Sequence, residues 1–134
     1  MEKDVFHFEI ITPERSVVSD DIESFEAPGV VGEFQVLAGH TPFLTGLKIG
    51  HVTYVKDGKK SHLSISGGFC EVKQDSAVIL ALTAEPSGEI DRERSDDARK
   101  RAQQRLKSKE ESIDFARAQA ALDRALNRLH VVEM

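Results

Sequence analysis

The sequence is poor in residues that cross-link a chain or build thiolate metal sites. It has one cysteine, no tryptophan and four prolines among 134 residues. With Cys70 alone, neither an intrachain disulfide nor a cysteine metal cluster can form. Phe69 and Val72 flank it in a strand-like run, and no basic neighbour adjoins it to lower its pKa. We therefore expect Cys70 to be a buried packing residue.

Long apolar runs and a strongly basic segment are also missing. No run approaches the roughly 18 apolar residues of a membrane span, and residues 1–5 lack the pattern of an export or import signal. Residues 1–90 carry 7 Lys/Arg against 14 Asp/Glu, and residues 91–134 carry 11 against 9. Only Phe115 offers an aromatic stacking face in the second segment. We therefore expect no nucleic-acid partner.

Catalytic signatures are absent as well. The motifs GxxxxGK[ST], HExxH, GxSxG and CxxC do not occur. One candidate remains: His40, in the loop Gly39-His40-Thr41-Pro42, either serves as a general base or hydrogen-bonds backbone to shape the turn before Pro42. No acid or nucleophile accompanies it, so we expect no catalytic residue and no metal site.

The first two thirds of the chain read as short strands. Apolar and polar residues alternate in runs separated by turn residues, and Asp57-Gly58 and Gln74-Asp75 are expected hairpin turns. The runs are residues 6–10, 24–27, 32–36, 51–55, 62–65, 69–72 and 77–80. Such spacing, with no helical stretch between the runs, predicts an antiparallel β-sandwich or barrel.

The last third is helical. After Pro86-Ser87-Gly88, residues 89–134 contain no glycine or proline and are rich in good helix formers. The polar run over residues 107–112 predicts a break, with Ser112 or Asp114 capping a second helix. The sequence therefore predicts an α+β chain, with a β-sandwich or barrel followed by two helices that can fold back as a hairpin. We call this hairpin the arm.

Each predicted helix carries a narrow apolar seam beside a row of arginines. At about 100° per residue, Arg117, Arg124 and Arg128 lie within about 40° of one another. Arg94, Arg101 and Arg105 line up in the same way beside the seam of Ala98, Ala102 and Leu106. The second seam comprises Phe115, Ala118, Leu122, Ala125, Leu129 and Val132.

Two interpretations of the rows remain open. They are either solvated faces supported by pairs such as Asp97 with Arg101, or anion-binding surfaces. In the second case the arginines hold a phosphate-bearing ligand or an acidic protein surface, and the alanine-rich seams hold the hairpin only weakly.

Three segments together resemble a known family. They are the run Gly32-Glu33-Phe34-Gln35-Val36-Leu37-Ala38-Gly39-His40-Thr41-Pro42, the run Ser66-Gly67-Gly68-Phe69-Cys70-Glu71-Val72, and the Ala- and Arg-rich helical tail. In order, spacing and length they are similar to the epsilon subunit of bacterial and chloroplast F-type ATP synthases. The resemblance covers essentially the whole chain.

The resemblance implies an antiparallel β-sandwich over residues 1–86 and an antiparallel two-helix hairpin over residues 87–134. It also implies a non-catalytic rotor subunit of a proton-translocating complex. In that family the sandwich docks on the gamma subunit and the c-ring, and His40 and Pro42 would face a rotor partner or shape their loop. The arm would extend into the alpha–beta head and inhibit ATP hydrolysis, with Arg117, Arg124 and Arg128 facing a beta subunit. The implied location is peripheral, on the cytoplasmic face of the bacterial plasma membrane.

The resemblance also implies a regulatory ATP site on the folded arm. Some members bind ATP through Ile or Leu, Asp, two variable residues, Arg and Ala. This chain has Ile90, Asp91 and Arg94, with Ser95 in place of the alanine. Further family contacts correspond to Glu85, Arg101, Arg124 and Arg128. We expect ATP to stabilise the folded arm, and the sequence leaves open whether magnesium accompanies it.

An alternative from a different functional class is a free-standing β-sandwich binding module whose helical tail dimerises as a coiled coil. The apolar seams are the feature that favours it, although each helix offers only a few seam positions.

Overall fold

The computed structural model describes residues 4–108, 110 and 112–134. The sandwich contains eight strands: β1 (Phe6–Ile11), β2 (Ser16–Ile22), β3 (Ser24–Gly29), β4 (Gly32–Leu37), β5 (Phe43–Lys56), β6 (Lys59–Val72), β7 (Ser76–Ala81) and β8 (Ala84–Pro86). A short 3₁₀ helix (Ser87–Glu89) leads to α1 (Arg92–Lys107) and α2 (Phe115–Val132). The predicted sandwich followed by a two-helix hairpin is confirmed.

The strands form one sheet that folds over on itself. Its hydrogen-bonded order is β2-β1-β7-β6-β5-β3-β4, with β8 pairing β6. The rings of Phe8 on β1 and Phe25 on β3 stack 4.5 Å apart although these strands are not neighbours in the sheet. The core therefore lies between two layers, which is the geometry of a sandwich.

The expectation of purely antiparallel strands is wrong for one pair. β1 and β7 run parallel, with His7 opposite Ser76 and Ile11 opposite Leu80. The two strands are far apart in sequence, and a crossover of this length permits parallel pairing, which a two-residue hairpin cannot provide. Every other strand pair in the described residues is antiparallel.

Two long strands connect the layers. β5 and β6 pair along their whole length around the predicted Asp57-Gly58 turn, where both residues have positive φ (50° and 75°). β6 contains both of the runs predicted as separate strands, 62–65 and 69–72. They are joined by Gly67 and Gly68, which have φ of 100° and 140°. A Cβ at Gly68 would lie 2.0 Å from the Leu80 carbonyl oxygen, so β7 can approach this point of β6 only because the residue is glycine.

The core consists of large apolar side chains. Phe8, Phe25, Ile10, Ile22, Leu63, Ile65 and Ile79 are among the fully buried residues. Cys70 is also fully buried, and burial raises the pKa of its thiol to about 12. Its expected role as a packing residue is confirmed.

The arm folds back as a hairpin against the sandwich. α1 packs on α2, and α2 lies on β5 and β6. Asp91 caps α1 and Asp114 caps α2, each accepting a hydrogen bond from the backbone N–H three residues on. The predicted break between the helices is confirmed, with Asp114 as the cap. Lys109 and Glu111, in the polar run, lie outside the described residues.

The arm buries few residues, and most of them have small side chains. Ser95, Ala102, Ala118, Ala125 and Val131 are its buried residues. Phe115, predicted in the seam, is 51% exposed because it occupies the first turn of α2. The other predicted seam residues of α2 are buried or half-buried. Neither described helix combines the length and apolarity that a membrane span requires.

Candidate functional site

A polar cleft of about 400 Å³ lies where the sandwich meets both helices. Its lining comes from four consecutive elements: β8, the 3₁₀ helix, α1 and α2. The lining residues are Glu85, Glu89, Asp91, Arg94, Ser95, Ala98, Arg101 and Arg128. We call this space the arm cleft. Six of the eight residues expected from the sequence to contact a nucleotide line it.

Local helix chemistry positions one wall of the arm cleft. The Asp91 carboxylate accepts a hydrogen bond from the Arg94 N–H at 3.1 Å, which fixes the start of α1. Ser95 Oγ donates to the Asp91 carbonyl oxygen at 2.8 Å, and Ser95 is buried. The serine hydroxyl is therefore satisfied within the helix, and Ser95 serves as a small residue of the wall.

The carboxylates of the arm cleft are already engaged. Glu85 accepts a hydrogen bond from Arg128 Nε at 2.7 Å, and Glu89 accepts one from Arg15 on the β1–β2 turn at 2.7 Å. Within the described residues, Arg94 and Arg101 have no carboxylate partner. Two guanidinium groups are thus free to bind an anion in a cleft that a third borders.

The ion pair of Glu85 with Arg128 also joins the arm to the sandwich. Both side chains are about one-third exposed, at 33% and 28%. Because Glu85 lies on β8 and Arg128 on α2, the arm cleft is complete only while α2 lies on the sandwich.

Two expected nucleotide contacts lie off the lining. Ile90 is half-buried immediately before the Asp91 cap, and Arg124 is half-buried one turn before Arg128. Arg117 is exposed in the first turn of α2. Glu89 was missed by sequence reasoning, because its partner Arg15 lies in a distant turn and no local pattern connects them.

The pair expected between Asp97 and Arg101 is wrong. Asp96 is the carboxylate that pairs on α1, with Arg99 at 2.8 Å and Lys100 at 3.3 Å. Hydrogen bonds from Arg99 and Lys100 lower the pKa of Asp96. Arg101 therefore stays directed to the arm cleft rather than neutralised along its own helix.

The loop between β4 and β5 carries the other expected partner residues. His40 Nδ1 donates to the Thr41 carbonyl oxygen at 2.8 Å, and its ring packs edge-on against Phe43 at 5.2 Å. The expected turn-shaping role is confirmed by this bond. Pro42 is exposed beside it.

An apolar groove of about 790 Å³ on the sandwich went unnoticed in the sequence. It lies between the β1–β2 turn and strands β5, β6 and β7, and we call it the sandwich groove. Phe69, Leu80 and Leu82 remain 61%, 52% and 67% exposed there. The sequence feature that could have revealed this groove is the presence of large apolar residues at outward-facing positions of β6 and β7. An exposed apolar surface of this kind is typical of protein interfaces.

No group of three or more His, Cys, Asp or Glu side chains capable of holding a metal ion occurs in the described part of the chain.

Comparison with known proteins places the whole chain in one family. Residues 5–87 match the family described as ATP synthase, Delta/Epsilon chain, beta-sandwich domain, and residues 89–133 match its long alpha-helix domain. The ATP synthase epsilon chain of Nitratidesulfovibrio vulgaris strain DP4 is 47% identical over 131 residues, covering 98% of this chain and 97% of the relative. That of Desulforamulus reducens is 45% identical, covering 93% and 95%.

Solved structures agree. A chain of the Euglena gracilis mitochondrial ATP synthase, solved as OSCP/F1/c-ring, superposes with a TM-score of 0.80 at 25% identity. It covers 90% of this chain and 76% of that chain. A chain of the Tetrahymena thermophila central stalk and c-ring shares the fold, with a TM-score of 0.58 at 14% identity, covering 99% and 97%. The chain therefore belongs to the ATP synthase delta/epsilon family, as an epsilon subunit with no catalytic role of its own.

Proposed function

We propose that this subunit couples the gamma subunit to the c-ring of a proton-translocating ATP synthase and restrains ATP hydrolysis through its arm, which bound ATP holds closed. Its place is peripheral, at the cytoplasmic face of the bacterial plasma membrane. The observation that carries the proposal is the arm cleft, with its dependence on the closed arm and its two arginines that have no carboxylate partner in the described part of the chain.

Phosphate recognition follows from the charges. Arg94 and Arg101 offer planar, permanently charged donors that suit phosphate oxygens, and charge-assisted hydrogen bonds are the stronger class. Arg128 borders the same space while bonded to Glu85. The volume of about 400 Å³ lies within the range of small-molecule sites. ATP fits this chemistry, and magnesium can accompany the phosphates without a dedicated protein cage.

Closure of the arm follows from where the lining residues lie. A ligand that contacts α1, α2 and β8 together binds the closed arm more tightly than an open one. It therefore shifts the population toward closure. ATP shortage would then release the arm.

An extended arm would act through its arginine row. Arg117, Arg124 and Arg128 would face acidic residues of a beta subunit in the alpha–beta head. In the closed arm, Arg128 is bonded to Glu85, so this side chain cannot serve both states at once. Closure therefore removes one inhibitory contact directly.

Docking of the sandwich on its rotor partners would use its exposed apolar surface. The sandwich groove offers Phe69, Leu80 and Leu82 to a complementary surface, and the loop with His40 and Pro42 is a second contact candidate. Leu80→Asp should abolish assembly with gamma, whereas Ser19→Asp, on the exposed edge strand β2, should leave it intact. Equal assembly of both variants would contradict the docking assignment.

Titration calorimetry of ATP with the full chain tests the nucleotide site. Arg94→Ala should weaken binding about ten- to a hundredfold, because one charge-assisted contact is lost. Arg99→Ala is the matched control, since it removes an arginine from the same helix outside the arm cleft. Absence of ATP binding, or equal losses in both variants, would overturn the site.

A further inference from the structure

Two histidines meet where the arm lies on the sandwich. His51 is on β5 and His130 is in the last turn of α2. Their rings are 5.7 Å apart, with an interplanar angle of 60°. His51 is half-buried and His130 is exposed. The pair spans the boundary that must open whenever the arm leaves the sandwich.

Two hydrogen bonds also cross this boundary. Asn127 Nδ2 donates to the Gly50 carbonyl oxygen at 2.6 Å and to Ser64 Oγ at 2.9 Å. Gly50 precedes His51, so the imidazole pair adjoins these bonds between α2 and the sandwich. Repulsion between the rings would therefore act beside them.

A third histidine lies on the neighbouring strand. His62 on β6 bonds Thr53 Oγ1 through Nδ1 at 2.8 Å. Burial, the nearby His51 and Lys60 all lower the pKa of His62. The folded chain therefore favours neutral His62, and the stability that this provides is lost as pH falls below the ordinary value of 6.5.

Several acidic side chains lie on the elements around the two histidines. Glu85 and Glu133, on the elements packed here, are already paired with Arg128 and Arg92. The charged and titratable groups on the elements around His51 and His130 are Lys60 and His62 from β6, Glu26 from β3, Arg128 and Glu133 from α2, Glu85 from β8, and Arg92 from α1.

We propose that His51 and His130 form a pH-sensitive latch that releases the arm from the sandwich under acidic conditions. Histidine is the side chain whose charge changes near neutral pH, and two imidazolium rings at this separation repel. Opening the arm separates them. Coulomb's law in a water-like medium gives a fall of about threefold in the ratio of closed to open arm once both rings are charged. This control acts without nucleotide and thus goes beyond the proposed ATP regulation.

Fluorescence energy transfer in the full chain, without nucleotide, tests the latch. Ser19→Cys on β2 and Ser112→Cys between the helices provide two exposed labelling sites. Cys70 can stay, because it is fully buried and its thiol has a pKa of about 12. We expect the transfer efficiency to change between pH 7.5 and 5.5, with the ratio of closed to open arm falling about threefold.

Variants separate this effect from general acid sensitivity. His51→Gln and His130→Gln should each flatten the pH response, whereas His7→Gln, on the distant strand β1, should retain it. A double variant carrying His51→Lys and His130→Lys should stay open at both pH values. A pH-independent wild type, or an unchanged response in His130→Gln, would overturn the latch whether or not ATP binds the arm.

Discussion

The sandwich and the arm bury different kinds of side chains. The sandwich core contains fully buried phenylalanine, isoleucine and leucine, whereas the buried residues of the arm are one serine, three alanines and a valine. Apolar stabilisation scales with the area removed from water, so the arm has far less of it per residue. The comparison teaches that a single chain can combine a sandwich with a large apolar core and a second element whose packing contributes much less apolar stabilisation.

The largest expected effect comes from making the same substitution in both regions. Phe8→Ala should lower the free energy of unfolding by about 3–5 kcal/mol, because it empties a fully buried site stacked on Phe25. Phe115→Ala in the arm should change it by no more than about 0.5 kcal/mol, since half of that side chain is exposed. Urea unfolding measures both. Equal losses of unfolding free energy in the two variants would contradict the difference in packing between the sandwich and the arm.

A smaller effect is expected where the two regions touch. Asn127→Ala removes both bonds from its amide to Gly50 and Ser64 and should weaken arm closure by about 1–2 kcal/mol. Gln119→Ala, on the exposed face of the same helix, is the control. Hydrogen exchange of the α2 amides should accelerate in the first variant alone. Faster exchange throughout the sandwich would instead mean that Asn127 stabilises the whole fold.

The smallest effect concerns the charge on a histidine of β1. Hydrogen bonds from the His7 ring to the carboxylates of Glu9 and Asp21 raise the pKa of His7. Its contribution to stability is therefore full below 6.5 and is lost as pH rises through the raised value. The contribution of His62 to stability has the opposite pH dependence, because burial lowers the pKa of His62. His7→Gln should therefore lower the urea midpoint at pH 5.5 more than at pH 8. The reverse pattern would refute the assigned ion pairs.

The alternation of apolar and polar residues in the sequence predicted the strands that bury one face. β1, β3 and β4 lie where expected, and β1 buries Phe6, Phe8 and Ile10 while the residues between point outward. The sequence analysis did not predict β2. It is an edge strand that contains Ser19, Asp20 and Asp21, so it has too few apolar residues to show a clear alternating pattern. β8 has three residues, which are too few to show an alternating pattern. The parallel pairing of β1 with β7 depends on the whole topology and has no signature in the local sequence of either strand.

The candidate site was predictable only in part. The arginine rows followed from helical periodicity, and the resemblance to the family indicated which of them could meet. Periodicity could not tell that Arg128 enters the arm cleft while Arg124, one turn earlier, does not, since this depends on how α2 lies on the sandwich. Nor could it predict the bond from Arg15 to Glu89, which joins residues distant in sequence.

Hydrogen exchange of the full chain, measured by mass spectrometry with and without ATP, tests the central claim most directly. We predict that amides of α1 and α2 exchange faster than those of β1, β5 and β6 without nucleotide, and that ATP slows only the arm. Equal protection of both regions, or an ATP effect that is absent or confined to the sandwich, would contradict a loosely held arm closed by nucleotide.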